Sequence, residues 1–524
     1  MPQQSTCTQA CLAIEDTSLP LLSEVLSGLV SIDKENDQLI TGVETDSRQV
    51  EAGQIFINLS GKRAHRHEAL NKQAAVVIEC SQQRQHSVSK HSHYDHQWLL
   101  VTLQELKKNH GKIIHHFHMN PSHQLNCIGV TGTNGKTSVT SLILELYRQD
   151  MRQCMVVGSR GYGQSVSSVK SLCSIQYTTP PATQLARVLS EAIKTGCEAV
   201  AMEVSSHAIE QARVSGITFD TLILTNVTRD HLDYHKNWHD YQAVKAKLFH
   251  DYDARNIVIN LDDPTGRKIA REYCGSGSVW GYTLKSTGIG CGVEVVRAFD
   301  IQSSIQGLSM KVHFRNQTMK LATKWIGDFN TQNILSALTA LLASGYSLEN
   351  LVKLIKDINP IAGRMELINP NSKGPSIIID YAHTPDALQS VLSCLQKICE
   401  RSLIVIFGCG GNRDPGKREI MGRVAEKYAD QIILTDDNPR QESSSSITNA
   451  ILKGVMAPWD VSVIHDRQEA IAHAIEHAHK GDIILIAGKG DETSQDYHHK
   501  QIKFSDKKIA NYLLKLKLSD VCMV

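Results

Sequence analysis

No apolar run in this chain approaches the length needed to cross a bilayer, and the N-terminal stretch Met1 to Pro20 is interrupted by Glu15 and Asp16 rather than forming a continuous apolar segment. The expectation is therefore a cytoplasmic protein with no membrane insertion. A charge excess is missing as well: 55 Lys and Arg stand against 54 Asp and Glu. Without an overall field there is no general attraction to nucleic acid or to an anionic membrane, so partners should be small molecules and any grip on phosphate must be local. The 13 cysteines include no Cys-x-x-Cys pair, and their odd, scattered distribution argues against a disulfide framework or a zinc ribbon. Reduced, mostly buried thiols are expected. No internal repeat is visible, and 524 residues exceed what one core usually serves, which points to two to four domains, with three the first expectation.

What is present is concentrated in Gly129-Val130-Thr131-Gly132-Thr133-Asn134-Gly135-Lys136-Thr137-Ser138. Cys127 to Val130 can form a buried strand, and Ser138 to Tyr147 reads as the next helix. Gly132 and Gly135 let the intervening backbone turn its amides toward anionic oxygens. Lys136 can reach outer phosphates and the Thr137 hydroxyl can ligate Mg²⁺, so this stretch predicts binding of a nucleoside triphosphate.

Strand and helix signals organise the rest. A turn at Thr45-Asp46-Ser47-Arg48, a strand at Gln54 to Leu59, a helix after Gly61 and a strand at Ala75 to Glu79 outline a small α/β module, completed by a strand at Trp98 to Thr102 and a helix to about His118. Seven histidines, His91, His93, His96, His110, His115, His116 and His118, crowd one stretch there. A metal site is conceivable, but no closed-site ligand spacing appears, and a solvated connecting segment is the preferred reading. Asn120-Pro121-Ser122 marks a boundary.

From about Gln124 to Ile361 candidate strands at Cys127 to Val130, Ala199 to Val204, Thr221 to Thr225 and Asn256 to Asn260 alternate with helices, as in a doubly wound parallel sheet. A more β-like segment runs from Ser278 to Leu321, and a helical one from Asn330 to Ile358. Pro360 to Arg364 reads as a hinge into a third strand-helix alternation, with strands at Ser376 to Asp380, Leu403 to Phe407, Gln431 to Thr435 and Asp482 to Ala487.

Ligands of open α/β sheets sit beyond the carboxyl ends of the strands, so the residues just past each strand are where chemistry is expected. Met202-Glu203-Val204-Ser205-Ser206-His207 presents a carboxylate, two hydroxyls and an imidazole. Glu203 alone reads as a strand-end charge and His207 as a capping residue; together, after a phosphate loop, they suit Mg²⁺. In the helix from His239 to His250, Lys245 shares the apolar face of Tyr241, Val244 and Leu248, whereas Lys247 does not. An inward lysine must be paired, neutral or modified; from spacing alone a snorkelling surface lysine is the preferred reading.

Taken in order, Thr-Gly-Thr-Asn-Gly-Lys-Thr at 131 to 137, Glu-Val-Ser-Ser-His at 203 to 207, Asn-x-x-x-Asp-His-Leu-Asp-Tyr-His at 226 to 235, Asn330-x-x-Asn333, Gly363-Arg364-x-Glu366 and Asp-Tyr-Ala-His-Thr-Pro-Asp at 380 to 386 resemble the signatures of the Mur ligase family of ATP-dependent amide-forming enzymes. The resemblance covers nearly the whole chain. It is strongest to the members that add meso-diaminopimelate to UDP-N-acetylmuramoyl-L-alanyl-D-glutamate through an acyl phosphate, in peptidoglycan precursor synthesis.

The fold class it implies is α/β with three domains. These are a small N-terminal UDP-sugar-binding α/β domain over 1–122, a central P-loop ATP-binding domain with a doubly wound parallel sheet over 123–361, and a C-terminal Rossmann-like amino-acid-binding domain over 362–524. The resemblance further implies that Gly132, Thr133, Asn134, Gly135, Lys136, Thr137 and Ser138 hold ATP, with Asn333 at the adenine and Arg364, Asp380, Tyr381 and His383 contributed by the third domain. Thr137, Glu203 and His207 would address Mg²⁺, and Lys245 would act as a carbamate, so that Lys136, Glu203, His207 and Lys245 form the catalytic set. Thr45, Ser47, Lys62, Arg63 and Ala64 match the uridine region, while Thr178, Thr179, Ser205, Gln211 and Arg213 match the muramoyl-dipeptide positions. Tyr177 stands where asparagine is often found.

Asp437-Asn438-Pro439-Arg440 is similar to the diaminopimelate signature, its arginine suited to a distal carboxylate in bidentate fashion. Arg413, Gly488 and Glu492 match further contacts, Glu492 facing the distal ammonium. Taken alone, the tetrapeptide also reads as a charged proline turn. Family members commonly have histidine where this chain has Asp491. A monomer that closes its second domain onto its third is expected. The competing readings are a ligase for another amino acid, a folylpolyglutamate synthetase, or a nucleotide switch that forms no bond.

Overall fold

The structure is a computed structural model describing residues 19–80, 89–90, 97–164, 173, 177–228, 235, 237–285, 292–368, 374–498 and 500–521. His91, His93 and His96, and residues 230–234 of the Asp-His-Leu-Asp-Tyr run, lie outside the described residues. Two compact units are distinguished: Met1–Gln124 with Pro181–Ser190 and Ala212–Ile217, and the remainder of the chain.

The first unit carries a five-stranded sheet ordered Gly42–Glu44, Gln54–Asn58, Val76–Cys80, Gln97–Val101, Ser89–Lys90, parallel except for its last pair. Alternation sends Ile55, Ile57, Val76 and Ile78 to one face, where Leu106, Ile113 and Ile114 of the helix Leu103–Phe117 cover them. Phe56 and Val77 point to the other face and meet Ala69 of Arg63–Asn71.

The histidines of Leu103–Phe117 correct the expectation of a solvated connection: His110 is 2% and His115 0% exposed, and His116 lies 3.2 Å from the Val25 carbonyl oxygen. The reason is helical period, since position 110 falls four after Leu106 and three before Ile113 and so shares the buried stripe.

The second unit contains a ten-stranded sheet and a six-stranded sheet. In the larger one, Asn126–Thr131 lies between Phe219–Leu224 and Ala199–Glu203, parallel to both, with Cys154–Gly158 parallel beyond Ala199–Glu203. Strands buried on both faces read as continuous apolar runs, and Cys-Ile-Gly-Val and Ala-Val-Ala-Met are such runs. The switch in strand order at Asn126–Thr131 opens the crevice where ligands of such sheets bind. Lys136–Gln149 and Asp328–Ala343 pack on the sheet through Leu142, Leu146, Ile334 and Leu338. The expected β-rich segment is Ser278–Thr283 and then the antiparallel meander Glu294–Ser304, Gly307–Phe314 and Gln317–Thr323.

The smaller sheet is ordered Glu366–Leu367, Ser376–Asp380, Ile483–Ala487, Leu403–Phe407, Gln431–Leu434, Ser462–Val463. All pairs but the first are parallel, and Ile483–Ala487 is inserted between Ser376–Asp380 and Leu403–Phe407. Asp380, Gly408, Thr435 and Gly488 thus emerge at one edge. A two-stranded hairpin, Ser494–Tyr497 with Lys500–Lys503, forms a sheet of its own, and Tyr497 bridges to Arg440. Among the described residues no helix is long and apolar enough to cross a membrane. Of the described cysteines Cys127, Cys154, Cys197, Cys394 and Cys409 are buried, and all are free thiols.

Candidate functional site

The loop between Asn126–Thr131 and Lys136–Gln149 is held by hydrogen bonds from the neighbouring strand end. Asn134 N donates to Asn226 Oδ1 at 3.0 Å, Thr133 N to the Asn226 carbonyl at 2.8 Å, and Thr225 Oγ1 to the Asn134 carbonyl at 2.6 Å. Gly135, at φ +87°, starts the helix, and a Cβ there would lie 2.4 Å from Asn333 Oδ1. Only glycine combines that backbone with so close a neighbour. Asn333 is itself fixed by donating to Asn330 Oδ1 at 2.8 Å. Lys136 Nζ donates to the carbonyls of Gly132 and Thr133 at 2.8 and 2.9 Å, so the ammonium sits over the loop.

Thr137, one residue into the helix, donates through Oγ1 to Glu203 Oε1 at 3.0 Å. The same carboxylate oxygen accepts from Ser159 N at 3.0 Å and Ser159 Oγ at 3.1 Å. A carboxylate and two hydroxyls converge here, an oxygen set suited to a hard divalent cation. Ser159 is absent from the candidates read from sequence because the strand before it, Cys154–Gly158, is absent too; its signal is the apolar run Cys-Met-Val-Val ending in Gly-Ser.

Thr179 Oγ1 donates to the Glu203 carbonyl at 2.7 Å and accepts from Ser205 N at 3.1 Å, and Ser205 caps the short helix Ser206–Glu210. His207 lies in that helix with its ring centroid 5.8 Å from His235, whose Nε2 is 3.0 Å from Ser206 Oγ. Thr178 is half-buried and Gln211 exposed.

Lys245 is 1% exposed in Trp238–His250, with Nζ 4.8 Å from the Tyr241 ring centroid, while Lys247 is exposed. The snorkelling alternative fails because Lys245 Cβ leaves the helix on the side of Tyr241 and Leu248, both fully buried. The Tyr241 hydroxyl in turn lies 3.0 Å from Thr133 Oγ1, joining this helix to the phosphate loop.

Third-domain residues reach the same place. Arg364 stacks on Tyr381, its guanidinium carbon 4.2 Å from the ring centroid, and its Nη2 stands 3.5 Å from Thr137 Oγ1. Asp380 accepts from Met365 N and Ala382 N, both at 2.8 Å. Burial pushes its carboxyl up from the usual range, opposed by Arg364 and those two bonds. His383 is exposed, edge-on to Tyr381 at 4.7 Å.

Farther along this edge, Asp437 and Asn438 are buried, and Asn438 Nδ2 donates to Glu492 Oε2 at 3.0 Å. Lys489, 1% exposed and not singled out from sequence, donates to Asn438 Oδ1 at 3.0 Å and Glu492 Oε2 at 2.7 Å. Glu492 is thus already neutralised within the fold. Gly488 packs on Asp437, whose Oδ2 would lie 2.6 Å from an added Cβ. A Cβ on Gly410 would lie 2.9 Å from Arg440 Nη1 and 3.7 Å from Arg413 Cγ, so the two arginines flank it; Pro439 packs against Gly411. An open cavity of about 590 Å³ is lined by Asn412, Arg440, Asp496, His498, Lys500 and Gln501. Of the residues expected around the amino acid only Arg440 lines it; the rest of its wall is largely the hairpin, which the strand-helix alternation does not disclose.

In the first unit, Ser47 is buried with Oγ donating to Glu68 at 2.6 Å, Thr45 is half-buried, and Lys62, Arg63 and Ala64 are exposed at the start of Arg63–Asn71. Arg213 is half-buried in the turn Ala212–Ile217.

Residues 130–341 match the Mur ligase middle domain, and residues 363–490 match the Mur ligase, glutamate ligase domain. A UDP-N-acetylmuramoyl-L-alanyl-D-glutamate--2,6-diaminopimelate ligase of Coxiella burnetii is 38% identical over 474 residues, 90% of this chain and 94% of that protein. One from Pseudomonas putida is also 38% identical, over 90% and 94%. A solved structure of such a ligase superposes with a TM-score of 0.65 at 31% identity, over 92% of this chain and 96% of its own. Family models matching its central and C-terminal parts, together with relatives 38% identical along nine-tenths of its length, establish that this chain belongs to the Mur ligase family.

Proposed function

We propose that this chain joins meso-diaminopimelate to UDP-N-acetylmuramoyl-L-alanyl-D-glutamate at the expense of ATP, as its relatives' names describe. The observation that carries the reading is the meeting at Thr137 of Glu203 from the central sheet and Arg364 from the third domain, which joins the phosphate loop to the domain that bears Asp437 to Arg440. The domains run over 1–122, 123–361 and 362–524, and the chain acts as a monomer in the cytoplasm.

The D-glutamyl γ-carboxylate attacks the γ-phosphorus of ATP, the bond to the β-phosphate oxygen breaks, and ADP leaves. The amine of diaminopimelate then attacks the carbonyl carbon of the acyl phosphate, the C–O bond breaks, and phosphate departs with loss of the amine proton. Two anions meet in the first step, so Lys136 serves to neutralise and align them. Glu203, Ser159 and Thr137 supply oxygen donors that would fit Mg²⁺, with His207, from the helix after Glu203, and Lys245, as a carbamate, as the further ligands. Bound there, the ion would offset charge on the triphosphate. Asn333, Asp380, Tyr381 and His383 complete the nucleotide surface. Thr178, Thr179, Ser205, Gln211 and Arg213 take the muramoyl dipeptide, with Thr45, Ser47 and Lys62 to Ala64 on the uridine side. Arg440 receives the distal carboxylate of the amino acid and Glu492 its ammonium, with Arg413, Asp437, Asn438, Pro439 and Gly488 as further contacts.

Purified protein given ATP, Mg²⁺ and UDP-muramoyl dipeptide should release phosphate with diaminopimelate and not with lysine; the opposite pattern refutes the specificity. Arg440→Ala, which deletes a charge-assisted pair, should raise KM for diaminopimelate by about 10- to 100-fold while nucleotide binding is kept. An unchanged KM refutes the arginine's role.

A further inference from the structure

Ser159 and Arg160 leave Cys154–Gly158 together, but they serve different neighbours. Ser159 bonds Glu203 and lies 3.2 Å, oxygen to oxygen, from Thr137. Arg160 reaches into the third domain, where its Nε donates to Asp491 Oδ2 at 2.7 Å across 331 residues of sequence. The two side chains are 8% and 18% exposed. Asp491 belongs to the turn from Gly488 to Glu492, whose Gly490 lies so close to Gly363 and Tyr381 that a Cβ there would come within 2.8 Å of the Gly363 carbonyl oxygen and 3.0 Å of Tyr381 Cβ. Arg160 Nη1 and Nη2 are buried and have no hydrogen-bond partner among the described residues.

A charge pair so enclosed adds little to folding stability, because desolvation offsets the attraction, and donors left unmet add to that cost. Its placement is better explained by what it connects. One end adjoins the Glu203–Thr137 cluster, and the other adjoins Glu492 and Lys489.

We propose that Arg160 and Asp491 form a positioning pair for the ligation, holding the Gly488–Glu492 turn in register with the phosphate loop so that the incoming amine reaches the acyl phosphate. The proposal rests on the functional reading above. Neither side chain touches the reacting atoms; both act through the turn they secure.

The test is a double-mutant cycle with the near-isosteric variants Arg160→Gln and Asp491→Asn, the double variant, and Asp491→Glu, which keeps the charge. Each neutral single variant should raise KM for diaminopimelate by about tenfold, and the double should be no worse than the poorer single, as expected for coupled residues. Affinity for a nonhydrolysable ATP analogue, measured without amino acid, should stay within about twofold, and Asp491→Glu should recover most of the loss. Singles indistinguishable from wild type, or effects that multiply in the double, overturn the proposal. Wild type assayed in parallel with lysine separates the two claims: a preference for lysine refutes the functional reading, and the cycle is then read with lysine as the amino acid.

Discussion

His115 shows what burial does to a single titrating group. Neither ring nitrogen has a hydrogen-bond partner among the described residues, and burial holds the imidazole down to about 3 from an ordinary 6.5. Between these values the unfolded chain binds a proton that the folded chain refuses. Stability is therefore complete above the ordinary value and falls on acidification by about 1.4 kcal/mol per pH unit. Urea unfolding of the protein, monitored in the first unit at pH 7.5 and 5.5, should show this loss in wild type, and a loss smaller by about 1.4 kcal/mol in His115→Leu. Equal losses would mean that the folded protein protonates His115 after all. Legibility from sequence differs by residue. Helical spacing puts Lys245 on the face of Tyr241 and Leu248 but favours a side chain that snorkels to the surface, and only the packing buries it. Arg160 has no such signal, since its partner lies 331 residues away and no local pattern encodes the pairing.

Elements of the third domain are tied together by one ion pair that links helices to strand ends. Arg467, at the start of Arg467–His477, donates through Nε and Nη2 to the Asp506 carboxylate at 2.8 and 2.9 Å, and both side chains are fully buried. The guanidinium also donates to the carbonyls of Ala487 and Asp436 at 2.9 and 3.4 Å, the residues just before Gly488 and Asp437. Asp506→Ala would leave an uncompensated buried cation and should cost about 3–5 kcal/mol in the denaturant unfolding of this domain. A loss below about 1 kcal/mol would show that the neighbouring carbonyls suffice. Strands such as Leu403–Phe407 are evident as apolar runs, whereas the hairpin of Ser494–Tyr497 and Lys500–Lys503, polar and with its second strand exposed, has none of that signature.

The whole molecule depends on how the third domain meets the central one, and Gly363 stands at that junction. Its φ is +69°, and a Cβ would lie 2.2 Å from Asp491 N. Gly363→Ala therefore carries about 1–2 kcal/mol of backbone strain plus a contact relieved only by moving the Gly488–Glu492 turn. Phosphate release should fall by at least about tenfold while nucleotide affinity of the central domain changes little. Activity near wild type would show that the junction tolerates displacement and that closure has slack.

By itself the sequence determined the α/β alternation, the phosphate loop and the side of its helix from which Lys245 leaves, because each depends on periodicity or spacing within a few residues. Tertiary structure alone decided that Ser159 joins Thr137 and Glu203, that Lys489 meets Asn438, and that Arg160 meets Asp491. These relations depend on which strand ends the topology brings to one edge, and strand order is set by packing of whole elements rather than by any local run of residues.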